Sequence, residues 1–250
     1  MLCRDVYQGG CDRPLVEPTW CHDDEWQPDV DGRPTGPYLR RGLPEALIRT
    51  LARSQEHEVR QAVGLCQDAP EDVIDELVGD PDEDVRNAAL GQTRSARLLH
   101  EAIAAWPHGP WRTRMAVASN PRCPTDILEL LSRDPETMVR MSVVTNRATP
   151  EHVVDARAND PGYAVRSLAL SHTRNPALIR TAAASADEQD RQRVAENPNC
   201  PANLLENLAA DPAKYVRFSV ASNPACPRHV RRKLESDLDP FVANMARTRR

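Results

Sequence analysis

Cys3, Cys11 and Cys21 are the residues of this chain whose type and spacing best suit chemistry, arranged as Cys-x7-Cys-x9-Cys. The segment around them is rich in Gly, Pro and Asp and shows neither helical nor strand periodicity, so it has too little apolar surface to fold by burial. A metal held by thiolates would order it, because binding free energy becomes folding free energy in a small ligand-rich segment. The N-terminus lacks the basic and apolar regions of a secretory signal, so the seven cysteines read as reduced thiols or metal ligands ahead of a disulfide framework. An iron–sulfur cube or a tetrahedral zinc ion needs a fourth ligand. Cys66 is the first candidate, at the end of the second helix of the first repeat; His22 is the second, although its neighbour Cys21 hinders its reach to a separate iron. The spacing matches neither the compact ferredoxin runs nor a common zinc motif. An iron–sulfur cluster, a zinc site and free thiols therefore all stand as readings of these residues.

What must position this head is a repeat. "NPRCPTDILELLSRDPETMVRMSVVT" from Asn120 returns as "NPNCPANLLENLAADPAKYVRFSVAS" from Asn197. The unit starts fall at Pro44, Pro70, Ala96, Pro124, Pro150, Pro176, Pro201 and Pro227, at intervals of 25 to 28 residues, with the unit at Ala96 degenerate. Units of this length cannot bury an apolar face alone, so they stack and share a continuous core. After each opening proline, apolar residues recur at helical spacing, as in Ile127, Leu128 and Leu131, predicting a first helix with proline near its N1 position. Asp-Pro pairs follow at Asp80, Asp134, Asp160, Asp211 and Asp239, predicting the cap of a second short helix. Aromatics form only 4% of the chain, which suits thin layers of short aliphatic helices.

Three residue columns recur with the phrase. Arg60, Arg86, Arg114, Arg140, Arg166, Arg191 and Arg217 could form an anion ladder, but in the intact units they recur with the Asp six residues earlier and on another helix face. Bridging to an Asp or carbonyl of the adjacent unit is the better reading. Gln92, Asn120, Asn146, His172, Asn197 and Asn223 read as a polar ladder satisfying turn groups. Cys123, Cys200 and Cys226 occupy equivalent places in different units, beyond disulfide reach across layers, and read as small buried side chains. The degenerate unit places Trp106, His108 and Trp111 on an irregular loop, as packing or as a recognition spot. The basic run "RHVRRK" at 228–233 reads as a solvated cap.

The pattern "NPxxPxxLLxxLAxDPxxxVRxxVA", spanning about residues 42 to 246, resembles the leucine-rich repeat variant family. The resemblance implies an all-α solenoid, a right-handed superhelix of about eight helix pairs, with residues 1–41 as a separate cysteine-containing acidic leader and 42–250 as the array. It also implies, as in some members, a [4Fe–4S] cluster on the leader, with Cys3, Cys11, Cys21 and Cys66 as its ligands and zinc as the alternative metal.

The formal net charge is −5, and residues 1–40 hold eight acids against four arginines, so the array is close to neutral. That argues against a phosphate-neutralising stripe and makes a nucleic-acid binder or HEAT-like DNA glycosylase the least favoured function. No Gly-rich phosphate loop or nucleophile–base arrangement is legible. The expectation is a non-enzymatic, cytoplasmic protein-interaction scaffold with no membrane role and a protein partner, or a redox- or iron-responsive regulator gated by the cluster.

Overall fold

The computed structural model describes Leu39 and residues 41–248. Cys3, Cys11, Cys21 and His22 lie outside the described residues. The chain divides into two compact units, residues 1–127 and 128–250. In the first, three helix pairs follow one another: α1 (Glu45–Leu51) with α2 (His57–Gly64), α3 (Glu71–Leu77) with α4 (Glu83–Leu90), and α5 (Ala96–Ala102) with α6 (Trp111–Ser119). The division falls inside α7 (Thr125–Leu131). The second unit continues with α8 (Thr137–Thr145), α9 (Glu151–Ala156) with a 3₁₀ turn at Arg157–Asn159, α10 (Tyr163–His172), α11 (Pro176–Ala183) and α12 (Glu188–Glu196). It ends with α13 (Ala202–Leu208), α14 (Lys214–Ser222), α15 (Arg228–Leu234) and α16 (Pro240–Thr248). The described residues thus form an all-α solenoid of eight helix pairs, as the repeat predicts.

Most first helices are rooted by apolar residues at i, i+1 and i+4; α9 has Arg157 at the last of these positions and α15 has Arg231 at the second. Val73, Ile74 and Leu77 in α3 are buried, as are Ile127, Leu128 and Leu131 in α7. Burying one such side chain contributes about 1.5–3 kcal/mol, which a seven-residue helix could not obtain in isolation. The second helices bury small residues, Ala62 and Val63 in α2 and Ala88 and Ala89 in α4. Gly64 is needed for their approach: a Cβ there would stand 3.0 Å from the Cβ of Ala88 and 3.2 Å from the Ala89 nitrogen. In the first unit one core joins Ile48, Val63, Ile74, Leu77 and Val85; in the second another runs from Val144 to Ala246.

Two local expectations are corrected. The opening proline is usually the N-cap and not N1, as at Pro44, Pro70, Pro150, Pro201 and Pro227. With φ near −60° and ψ near 140°, its extended conformation places its carbonyl to accept the first helical bond, as Ile74 N–H donates to Pro70 O. Pro176 alone among the first-helix prolines stands at the head of its helix, behind an Asn175 cap. The Asp-Pro pairs also precede the second helix by more than expected: after Asp80, Asp134, Asp160 and Asp211 the helix starts three residues on. Only Asp239-Pro240 opens its helix directly. The other aspartates face a different task.

Candidate functional site

Four arginines of the Val-Arg column make the same forked bridge. Arg60, Arg140, Arg191 and Arg217 each direct Nε and one terminal nitrogen at the carboxylate twenty residues ahead, Asp80, Asp160, Asp211 and Asp237, at 2.7–3.1 Å. The remaining terminal nitrogen donates to two carbonyls of the arginine's own unit, such as Asp134 O and Pro135 O for Arg140. The bridge between units is therefore borne out, with the carbonyl partners in the same unit and not the next. Each aspartate also accepts the N–H two residues on, as Asp160 does from Gly162, which explains why it turns the chain instead of capping the helix. Arg86 donates to Asp80 O and Pro81 O, but the degenerate unit offers Trp106 where a forked aspartate would stand.

These contacts set the ionisation of the aspartates. The Arg60 fork holds the Asp80 carboxyl below the usual range against the opposing push of burial, and Arg217 does the same for Asp237. At Asp160 and Asp211 burial is the larger influence and pushes upward, yet the arginine fork and a backbone amide together prevail and lower both. An arginine so occupied has no guanidinium edge left for an external anion.

The amide column is also a ladder. Asn197 Nδ2 donates to Leu170 O and Thr173 O at 2.8 Å each, while its Oδ1 accepts from Asn199 N–H. Asn120 and Asn223 make the same three bonds, and all three side chains are buried. The carbonyls they reach are the orphaned ends of the preceding second helix. Gln92 and His172 are corrected: the buried member in those units is the next residue, Thr93 or Thr173, whose hydroxyl donates to Asp75 at 2.6 Å or Asp155 at 2.5 Å.

Cys66 occupies the same column, four residues before its proline as Asn120 is before Pro124. It follows α2 directly and is buried. Burial is the larger influence and raises its thiol pKa; the Asp68 and Ala69 backbone amides oppose that rise and the Asp68 carboxylate adds to it. Among the described residues no group of three or more His, Cys, Asp and Glu side chains could hold a metal ion. Cys123, Cys200 and Cys226 are buried free thiols, as expected from their place before the proline. Burial pushes Cys123 up to about 12 and Cys200 up to about 11.

Two recesses lie along the second helices. In the first unit a trough of about 540 Å³ crosses α2, α4 and α6. Its small residues are Ala88, Gly91, Ala116 and Ser119, and its larger ones include Gln61, Asn87, Trp111 and Met115. Asn87 Oδ1 accepts from Thr113 Oγ1 at 2.9 Å, which aims its amide nitrogen elsewhere. Trp111, predicted on a loop, opens α6 instead, because Pro110 caps that helix; its ring is 39% exposed and has Arg112 at 5.5 Å. In the second unit a recess of about 320 Å³ is lined by Lys214, Tyr215, Phe218, Asp239, Phe241 and Val242. Reading the sequence for columns overlooked both recesses. Their signal was the residue after each column arginine, Gln61, Asn87, Met115 and Phe218, which differs from repeat to repeat.

The fold and these ladders define the class, an all-α solenoid whose repeated polar residues hold successive layers together. Within it, the sequence pattern of the leucine rich repeat variant family matches residues 111–136, which run from α6 through the Asn120 turn and α7 to the Asp134-Pro135 pair. A solved structure described as a leucine-rich repeat variant with a novel repetitive protein structural motif is similar over 82% of this chain and 82% of its own, at 22% identity and a TM-score of 0.53. That likeness supports the fold. An engineered protein covers 81% of this chain and 93% of its own at 16% identity, with a TM-score of 0.25. A designed armadillo repeat protein covers 82% and 97% at 15% identity, with a TM-score of 0.23. The last two values are too low to bear on the architecture. No curated protein matches the chain. No helix among the described residues is long and apolar enough to cross a membrane.

Proposed function

We propose that this chain is a non-enzymatic scaffold that receives a protein partner, in extended form, in the trough across α2, α4 and α6. The observation that carries this reading is the division of labour among side chains. Arginines, aspartates and asparagines of the repeat are consumed within the stack, whereas the residues lining the trough vary from unit to unit. A floor of small residues lets a backbone approach, Gln61 and Asn87 offer amides to it, and Trp111 offers an aromatic anchor. Gly91 supplies the test, because an added Cβ there meets only its own helix's carbonyls, at 3.4 and 3.7 Å. A Gly91→Trp variant fills the trough without disturbing the core. Peptides selected from a displayed random library on the wild type should lose binding to this variant; peptides that bind both equally would refute the assignment.

The N-terminal segment in this reading carries a [4Fe–4S] cluster held by Cys3, Cys11, Cys21 and Cys66, with His22 as the alternative fourth ligand. The support is the family resemblance, together with a cysteine in the one column position where the neighbouring units place Asn or Thr. Such a cluster supplies one-electron chemistry when bound, and would let redox state or iron supply regulate the scaffold. Anaerobically purified protein should contain iron and acid-labile sulfide in equal amounts, and Cys66→Ser should reduce both. Zinc in their place would select the alternative metal; unchanged iron in Cys66→Ser would remove Cys66 from the ligand set.

A further inference from the structure

The first helices of two repeats carry opposite charge at matching positions. Aligned on the prolines that cap them, α3 reads Glu-Asp-Val-Ile-Asp-Glu-Leu and α15 reads Arg-His-Val-Arg-Arg-Lys-Leu. The residues that root the two helices coincide, Val73 with Val230 and Leu77 with Leu234, and all four are buried. The outward positions must then coincide as well: Glu71 with Arg228, Asp75 with Arg232, and Glu76 with Lys233. Of these six, all but the half-buried Asp75 are exposed. The remaining charged residues are used locally, Asp72 bridging to Arg49 at 2.7 Å, His229 to Glu206 at 2.6 Å, and Arg231, which stands where α3 has the buried Ile74, donating to Asn223 O at 3.0 Å. Asp75 accepts the Thr93 hydroxyl, and Glu71 is 3.9 Å from Arg94. Glu76, Arg228, Arg232 and Lys233 take part in no ion pair among the described residues.

We infer that this protein self-associates, with the acidic face of α3 on one copy docking against the basic face of α15 on a second. Every copy owns both faces, so the α3 face of one copy finds its complement on any other. The match arises from position as well as sign: both helices expose the same rows, and like rows meet with unlike charge. A second copy is the occupant these charges specify, because its Glu71, Asp75 and Glu76 stand in the same rows as Arg228, Arg232 and Lys233, whereas a polyanion would leave the α3 face unmatched. The contact is independent of the trough proposed for a protein partner.

Sedimentation velocity on the full-length chain tests the inference, at about 50 mM salt and again at about 500 mM, where screening shortens to a few ångströms. Wild type should form dimers at low salt and dissociate at high salt. Glu71→Arg with Glu76→Arg, and separately Arg228→Glu with Lys233→Glu, should each weaken the dimer about tenfold or more. All four positions are exposed, so far-UV circular dichroism and melting temperature should stay unchanged. An equimolar mixture of the two variants should recover association, because the reversed α3 of the one then meets the reversed α15 of the other. A monomeric wild type at low salt, a dimer indifferent to either reversal, or a mixture that fails to recover would each overturn the inference. So would a wild type that stays monomeric yet binds a DNA duplex through Arg228 and Lys233.

Discussion

Replacing Asp160 by alanine tests how much one rung of the arginine ladder contributes. Asp160 has a fully buried side chain and Arg140 is 10% exposed, and they meet through bonds of 2.9 and 3.0 Å. Asp160→Ala removes both bonds, the Gly162 N–H bond and a longer bridge from Arg157 at 3.4 Å, and it leaves the Arg140 guanidinium with only the Asp134 and Pro135 carbonyls. An uncompensated buried charge costs about 3–5 kcal/mol. That is a fifth or more of the stability of a typical domain, about 5–15 kcal/mol. Asp160→Asn keeps an acceptor for Gly162 and should cost about 2 kcal/mol, the range of a hydrogen bond to a charged partner. Arg140→Met and Arg157→Met combined with Asp160→Leu remove the three charges together and should come within about 2 kcal/mol of wild type. Arg97→Ala serves as the control: its bridge to Glu101 is 71% and 57% exposed and should contribute under about 0.5 kcal/mol. Urea unfolding followed by circular dichroism measures all four, with constant m-values required because repeat arrays can lose cooperativity. Should Asp160→Ala cost no more than Arg97→Ala, the ladder is not what joins these layers.

Acid should weaken the array. Asp80, Asp160, Asp211 and Asp237 all have folded pKa values below their unfolded value of about 3.9. Their contribution is therefore present above about pH 4 and is lost as pH falls through the lower folded values, so the melting temperature should fall steeply below about pH 4 and stay flat between about pH 5 and 7. Asn197→Ala leaves the Leu170 and Thr173 carbonyls and the Asn199 N–H without their partner and should cost about 2–3 kcal/mol in the same urea assay; a cost below about 1 kcal/mol would mean that water replaces the amide. With thiol pKa values of about 12 and about 11, Cys123 and Cys200 should escape iodoacetamide in the native protein at neutral pH and react once unfolded, as read by peptide mass spectrometry. Labelling of either in the folded chain would contradict their burial.

The architecture was largely legible because a repeat states its own rule several times. The period, the proline at each unit start and the Ile127-Leu128-Leu131 spacing already require short stacked helices, and sixteen helices in eight pairs follow among the described residues. The cysteines before each proline were equally readable, since equivalent positions in neighbouring layers lie too far apart to join. Helix ends were less legible. An Asp-Pro pair has the same local chemistry whether it caps a helix or turns the chain toward an arginine, and only the arriving guanidinium of the preceding unit decides which it does. The Thr93 and Thr173 substitutions were missed because Gln92 and His172 resemble asparagine more closely, whereas burial selects the side chain that fits between layers.

The candidate surfaces divide in the same way. Composition and order along the chain determined that the head bears thiols, that the array is near neutral and that its conserved charges serve the stack. Tertiary structure alone decided that Gln61, Asn87 and Trp111, spread over 51 positions in the sequence, line one trough, and that α3 and α15 expose corresponding rows of opposite charge. The physical reason is that sequence records which residue follows which, while a surface depends on the rotation of each helix about its axis. That rotation is set only when Val73, Leu77, Val230 and Leu234 find their places in the core.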